Sequence, residues 1–120
     1  AHNAVKGGVH LERLGQYDKF QADLLAEFIA KLADTPEGEG SMLDSTVVLY
    51  GSSNSQTHVN TDYPLMLAGG ERLGLKPGRL IDFGQVAPPL SNIYLTLLNA
   101  LDVPSQQFSD SDGTTPEIMA

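Results

Sequence analysis

The sequence contains no cysteine and few basic residues, and each scarcity excludes a class of chemistry. Without cysteine there are no disulfides, thiolate nucleophiles or zinc–thiolate sites, although the compartment stays open. Seven Lys and Arg against fifteen Asp and Glu give a formal net charge of −8, which disfavours nucleic acids and anionic membranes as partners. No apolar run approaches the roughly 20 residues of a membrane-spanning helix. The composition predicts an acidic, soluble chain.

Two amphipathic helices are predicted from the spacing of large apolar residues. Between Leu11 and Ala33 these residues recur mostly every three or four positions, and residues 34–40, with one proline and two glycines, end the pattern. A cleaner pattern of the same kind runs from Leu90 to Leu101, with two prolines before it and one after it. A length of 120 residues fits one domain, or one piece of a larger domain, spanning residues 1–120.

Short apolar runs predict the strands. Thr46 to Tyr50 lacks polar alternation, which is typical of a strand covered on both faces. Residues 64–68 form a second run, residues 79–83 a weaker third, and residues 105–120 an irregular tail. The order predicts an α/β fold of short, mostly buried strands flanked by two amphipathic helices. A buried strand needs neighbours on both edges and cover on both faces, and so few strands cannot provide these. We therefore expect this chain to be the C-terminal part of a larger three-layer α/β/α sheet.

A polar loop, residues 51–63, follows the predicted strand Thr46 to Tyr50. It leaves the carboxyl end of that strand, which is where open α/β sheets bind ligands. A Gly51-x-Ser53-x-Ser55 run approaches the nucleophile elbow of serine hydrolases, but no helical pattern follows it, so a self-capping polar loop is the simpler interpretation. The roles of His2 and His10 stay open. The candidate ligand-binding residues are Ser52, Ser53, Asn54, His58 and Asp62.

The order of these segments resembles a known superfamily. The run Leu43 to Ser55 (LDSTVVLYGSSNS), then His58, then residues 64–70 (PLMLAGG) resembles the C-terminal part of alkaline-phosphatase and sulfatase superfamily proteins. The chain resembles more closely a bacterial domain-of-unknown-function family, the DUF-fifteen-fifty-two group, through most of its length, including residues 92–95, 103–104 and 108–111. This resemblance implies an exported or periplasmic protein.

The resemblance also implies roles for the loop residues. In the superfamily the strand delivers an acidic residue followed by His or Asn, both metal ligands. Ser53 stands in the acidic position, Asn54 matches the second, and His58 corresponds to a later His that binds metal or an oxyanion. A hydroxyl is a poor substitute for a carboxylate facing a divalent cation. The low-ranked metal candidates are therefore Asn54 and His58, catalytic residues stay unassigned, and we expect no cofactor unless other segments complete a divalent-metal site.

Three functions remain open at this point. The first is the C-terminal part of a phosphatase- or sulfatase-like protein that does not carry out metal-dependent hydrolysis on its own. The second is a phosphate or sulfate ester hydrolase completed by a missing segment or a partner. The third is a non-enzymatic interaction or structural module, whose apolar helical faces bury against the rest of a larger chain or a second copy.

Overall fold

The computed structural model describes residues 8–52, 64–84 and 86–120. The fold in these ranges is mixed α/β, as predicted, with two α-helices and two small antiparallel sheets. Short 3₁₀ turns occupy Met42–Ser45, Glu71–Leu73 and Pro116–Ile118. The elements in chain order are α1 (Val9–Asp34), β1 (Pro36–Glu37), β2 (Gly40–Ser41), β3 (Val47–Gly51), β4 (Leu65–Gly69) and α2 (Leu90–Ala100).

The first predicted helix is confirmed as α1, with 26 residues. It ends at Asp34 because Thr35 is extended and precedes Pro36, and the Thr35 hydroxyl donates 2.6 Å to the carbonyl of Lys31. The helix packs chiefly against β2 and the Met42–Ser45 turn, and Leu32 in its last turns is buried. Thus α1 is anchored through its C-terminal end, beside the small β1–β2 pair, which the sequence pattern did not predict.

The main sheet is a two-stranded antiparallel pair of β3 and β4, with a register that runs from Val47↔Gly69 to Gly51↔Leu65. The prediction that β3 is buried on both faces is wrong in this structure. Its first three residues are half-buried and its last two are exposed. The reason is that β4 is the only strand paired with β3 among the described residues, so apolar composition alone did not decide burial.

The core lies between α2, the sheet and the C-terminal tail. Leu75, Leu97 and Ile118 form its buried cluster, with Val47 and Leu67 from the sheet packed against them. The second predicted helix is confirmed as α2, which begins directly after two prolines. The tail is less irregular than predicted, because residues 75 and 119 form an antiparallel bridge.

The third predicted strand, residues 79–83, is wrong, because the structure has no strand there. The Arg79 guanidinium instead donates to the backbone carbonyls of Glu117 at 2.6 Å and Met119 at 3.3 Å, which ties this segment to the tail. Leu80 is 97% exposed. The hydrogen bonds of the Arg79 side chain hold this segment against the tail without strand pairing. No pattern within residues 79–83 predicts those bonds.

Candidate functional site

The polar loop of the sequence analysis connects the two strands of a hairpin. Gly51, the last residue of β3, pairs with Leu65, the first residue of β4, so the two ends of the loop are held next to each other. A Cβ added to Gly51 would lie 2.9 Å from the carbonyl oxygen of Pro64, which is closer than side-chain carbons approach. The pairing at the base of the loop therefore depends on glycine.

The structure places one of the five candidate ligand-binding residues. Ser52 is exposed directly beyond the end of β3. The other four, and with them both metal candidates, lie outside the described residues: Ser53, Asn54, His58 and Asp62. Of the two N-terminal histidines, His10 is exposed in the first turn of α1 and His2 lies outside the described residues.

A large cavity begins where the loop returns to β4, and we call it the β4 groove. Its volume is about 1090 Å³, comparable to the larger ligand pockets of proteins. It is lined by residues 64–68, which include most of β4, by residues 76–81 and 87–91, and by Ile118. Most of these side chains are apolar, so the groove offers an apolar surface beside the polar loop.

Three charged residues line the β4 groove: Lys76, Arg79 and Asp110. The local balance is therefore positive in a chain whose formal net charge is −8. Arg79 already donates to three backbone carbonyls, so its guanidinium is held in place while its positive charge stays uncompensated by any ion pair among the described residues. Two cations beside apolar walls can attract an anion with an apolar body. The sequence analysis missed this pair because it counted cations over the whole chain.

The C-terminal tail, which carries Asp110, is fixed to α2 by a partly buried polar network. The Asn92 side-chain amide donates 2.8 Å to Asp112 Oδ1, and the Asp112 backbone amide donates 3.1 Å to Asn92 Oδ1. Nearby, the Thr115 amide donates 2.8 Å to Thr96 Oγ1. These bonds replace the water that the buried groups lose, so the network specifies where the tail lies.

A second, smaller cavity of about 250 Å³ lies between β3 and α2. Val47 and Leu49 of β3 form one side of it. Aliphatic and aromatic side chains of α2 and the residues after it form the other side: Tyr94, Leu97, Leu98, Leu101 and Phe108. An apolar space of this kind beside a strand suits large apolar side chains rather than a polar ligand.

The part of the chain that the structure describes contains neither a metal-binding cluster nor a membrane-spanning helix. In residues 8–52, 64–84 and 86–120, no group of three or more His, Asp or Glu side chains comes together in a way that would hold a metal ion. No helix in the same ranges combines the length and the apolar character needed to cross a membrane.

No protein-family model, no curated protein and no solved structure matches the chain.

Proposed function

We propose that this chain is the C-terminal part of a larger three-layer α/β/α protein related to the alkaline-phosphatase and sulfatase superfamily, through the DUF-fifteen-fifty-two group. In this proposal the chain contributes a strand-end loop to a ligand site and has no metal-dependent hydrolysis of its own. The observation that carries it is the incomplete cover of β3.

The β3 strand has the apolar composition of a central strand, but it lacks the second neighbouring strand that a central strand has. Among the described residues it pairs with β4 alone, and its three aliphatic residues are half-buried. An isolated two-stranded hairpin is marginal in water, and an apolar strand with an open edge invites pairing with another chain. The apolar cavity under α2 lies beside Val47 and Leu49, where the side chains of a further strand would pack. Both features support a larger sheet.

The sequence at the loop supports the loss of metal chemistry. The resemblance aligns Ser53 with the carboxylate that coordinates and neutralises a divalent cation. A hydroxyl supplies neither the charge nor the second oxygen. With Asn54 and His58 as the remaining candidates, a metal would need ligands from outside this chain.

Hydrogen–deuterium exchange of the chain alone tests the incomplete sheet. We expect the amides of β3 to exchange at least about 100-fold faster than those of Leu95 and Leu97, which are buried in α2, because a two-stranded pair opens more easily than the core. Equal protection of β3 and α2 would show that the sheet is self-sufficient and would contradict the proposal. Metal analysis after dialysis against zinc is the second arm, in which stoichiometric, tightly bound zinc would contradict the loss of the site.

The runner-up is a phosphate or sulfate ester hydrolase, and one observation favours it. Lys76 and Arg79 line a groove that reaches Pro64 at the end of the loop, where they can attract the anionic group of such an ester. We expect this chain to hydrolyse neither p-nitrophenyl phosphate nor p-nitrophenyl sulfate above the buffer rate, with or without added zinc or calcium. Metal-dependent turnover that His58→Ala abolishes would favour the hydrolase instead.

A further inference from the structure

The β4 groove differs from the chain as a whole in the sign of its charge. Its charged lining residues are two cations, Lys76 and Arg79, and one anion, Asp110, so their net charge is +1. The whole chain carries −8. Neither cation forms an ion pair within the described residues. This balance favours an anion with a single charge, because a dianion would leave one negative charge uncompensated beside apolar walls.

Arg79 is held in place and keeps free donors. Its Nε and Nη2 atoms donate to the backbone carbonyls of Lys76, Glu117 and Met119, at 3.2 Å from Nε and at 2.6 and 3.3 Å from Nη2. Its Nη1 atom makes no hydrogen bond to another described residue, so it can donate to a ligand. Because the guanidinium is already fixed, ligand binding costs it little side-chain entropy.

Helix α2 begins on the wall of the same groove. Leu90 and Ser91, its first two residues, line the groove, and Pro89 before them offers no side-chain cap. In the described part of the chain, no carbonyl accepts a hydrogen bond from the backbone amides of Leu90 and Ser91. Free amides at the start of a helix carry partial positive charge and bind anions.

The Ser91 side chain is a second, independent indication of a polar ligand. Ser91 is 6% exposed, and its Oγ atom is buried without a hydrogen-bond partner among the described residues. Buried hydroxyls without a partner are uncommon, because such a group has given up its hydrogen bonds to water. An oxyanion bound at the start of α2 can accept a hydrogen bond from this hydroxyl.

The rest of the groove suits an apolar body attached to the anion. Most of its lining side chains are aliphatic or proline, and Leu80 among them is 97% exposed. Apolar side chains left exposed around a concave surface favour an apolar occupant, because its binding removes them from water. The chain's charge of −8 opposes approach to an anionic membrane. The occupant that fits is therefore a soluble amphiphile.

We propose that the β4 groove binds a soluble amphiphilic monoanion, a carboxylate attached to an aliphatic chain. The carboxylate binds Lys76, Arg79 and the start of α2, and the aliphatic chain lies against the apolar side chains of β4. This proposal uses no residue of the loop between β3 and β4 and involves no hydrolysis. It therefore stands or fails independently of the function proposed above.

Isothermal titration calorimetry with decanoate at about pH 8 tests the proposal on the whole chain. We expect one decanoate per chain, with a dissociation constant on the order of 0.1 mM. Decanamide has the same aliphatic chain without the charge, and decyl phosphate is a dianion at this pH. Both should bind at least about tenfold more weakly. No binding of decanoate, or equal binding of decanoate and either comparison ligand, would overturn the proposal.

A lysine pair separates the groove from the overall charge. Lys76→Gln should weaken decanoate binding about tenfold, because it removes one of the two cations that face the carboxylate. Lys19→Gln is the matched control: it makes the same change of charge on α1, where Lys19 pairs with Asp23 outside the groove, and affinity should be unchanged. Equal affinities of the two variants would place the carboxylate elsewhere and overturn the proposal.

Ser91→Ala distinguishes a ligand-binding role from a structural one. Because the Ser91 hydroxyl has no partner among the described residues, its removal should leave the midpoint of thermal unfolding unchanged or raise it. Decanoate binding should weaken about fivefold, the effect of one lost hydrogen bond. An unchanged affinity in Ser91→Ala would contradict the position of the carboxylate at the start of α2.

Discussion

Two glycines with the same backbone angle differ in what surrounds them. Gly69, at the end of β4, and Gly78 both have φ of 76°. A Cβ on Gly69 would fall 2.5 Å from the carbonyl oxygen of Leu43 and closer still to that of Thr46, whereas a Cβ on Gly78 would meet nothing within 4 Å. Backbone strain is therefore common to the two positions, and steric exclusion applies to Gly69 alone.

Alanine substitution should separate these two effects. We expect Gly78→Ala to lower the free energy of unfolding by about 1 kcal/mol, the cost of a left-handed residue. Gly69→Ala should lower it by roughly 3 kcal/mol, because backbone atoms at the base of β4 must also move. Urea denaturation followed by circular dichroism measures both. Equal losses would mean that the close approach at Gly69 relaxes without cost.

Sequence reasoning at the residue scale found the hairpin loop but missed the groove beside it. The polar run after β3 was recognisable from its composition and its place at a strand end, and Ser52 lies at that end. Lys76 and Arg79 line one groove only because the chain returns past β4 and the tail fixes Arg79. Such a meeting of distant residues leaves no mark in local spacing. The roles of residues 53–62 stay a prediction.

At the scale of elements, periodicity predicted both helices, and apolar composition predicted β3 and β4 but also a strand at residues 79–83 that the structure lacks. Both helices follow from apolar spacing bounded by proline or glycine, because a helix face is a local property. Residues 79–83 have a strand-like run but no strand, since pairing depends on a partner far along the chain. The β1–β2 pair was missed because its four residues contain no apolar run. A distant residue contributes to it, since the Arg72 guanidinium donates 2.9 Å to the Glu37 carbonyl.

The attachment of the tail to α2 is the element-scale contact most open to test. Asn92 is 3% exposed and both donates to and accepts from Asp112. Asn92→Asp replaces the donor by a buried carboxylate facing another, and we expect a loss of roughly 3 kcal/mol in the free energy of unfolding at neutral pH. Asn99→Asp is the matched control. Asn99 is exposed and accepts from the Ser105 amide, a bond that an aspartate can also accept, so its change should stay within about 0.5 kcal/mol. Similar stabilities of the two variants in urea would contradict the role given to the network.

At the scale of the whole molecule, the described residues bury little of their apolar content. Five hydrophobic residues are buried, whereas fifteen large ones are exposed. A chain of 120 residues with a hydrophobic content of 41% is long enough to bury one core. Composition measures how much apolar surface a chain has, whereas the arrangement of its elements decides how much of that surface is buried. The excess is greatest on α1, which carries six of the fifteen exposed residues.

The pairing of Gly51 with Leu65 has a consequence for how such a chain can change over evolution. Because the pairing of β3 with β4 brings the two ends of the loop together, closure of the hairpin does not require particular residues between them. Insertions, deletions or wholesale exchange of that segment would leave the register from Val47 to Gly51 intact. The hairpin can thus carry loops of different sequence, and ligand recognition can be lost, regained or redirected while the fold stays the same.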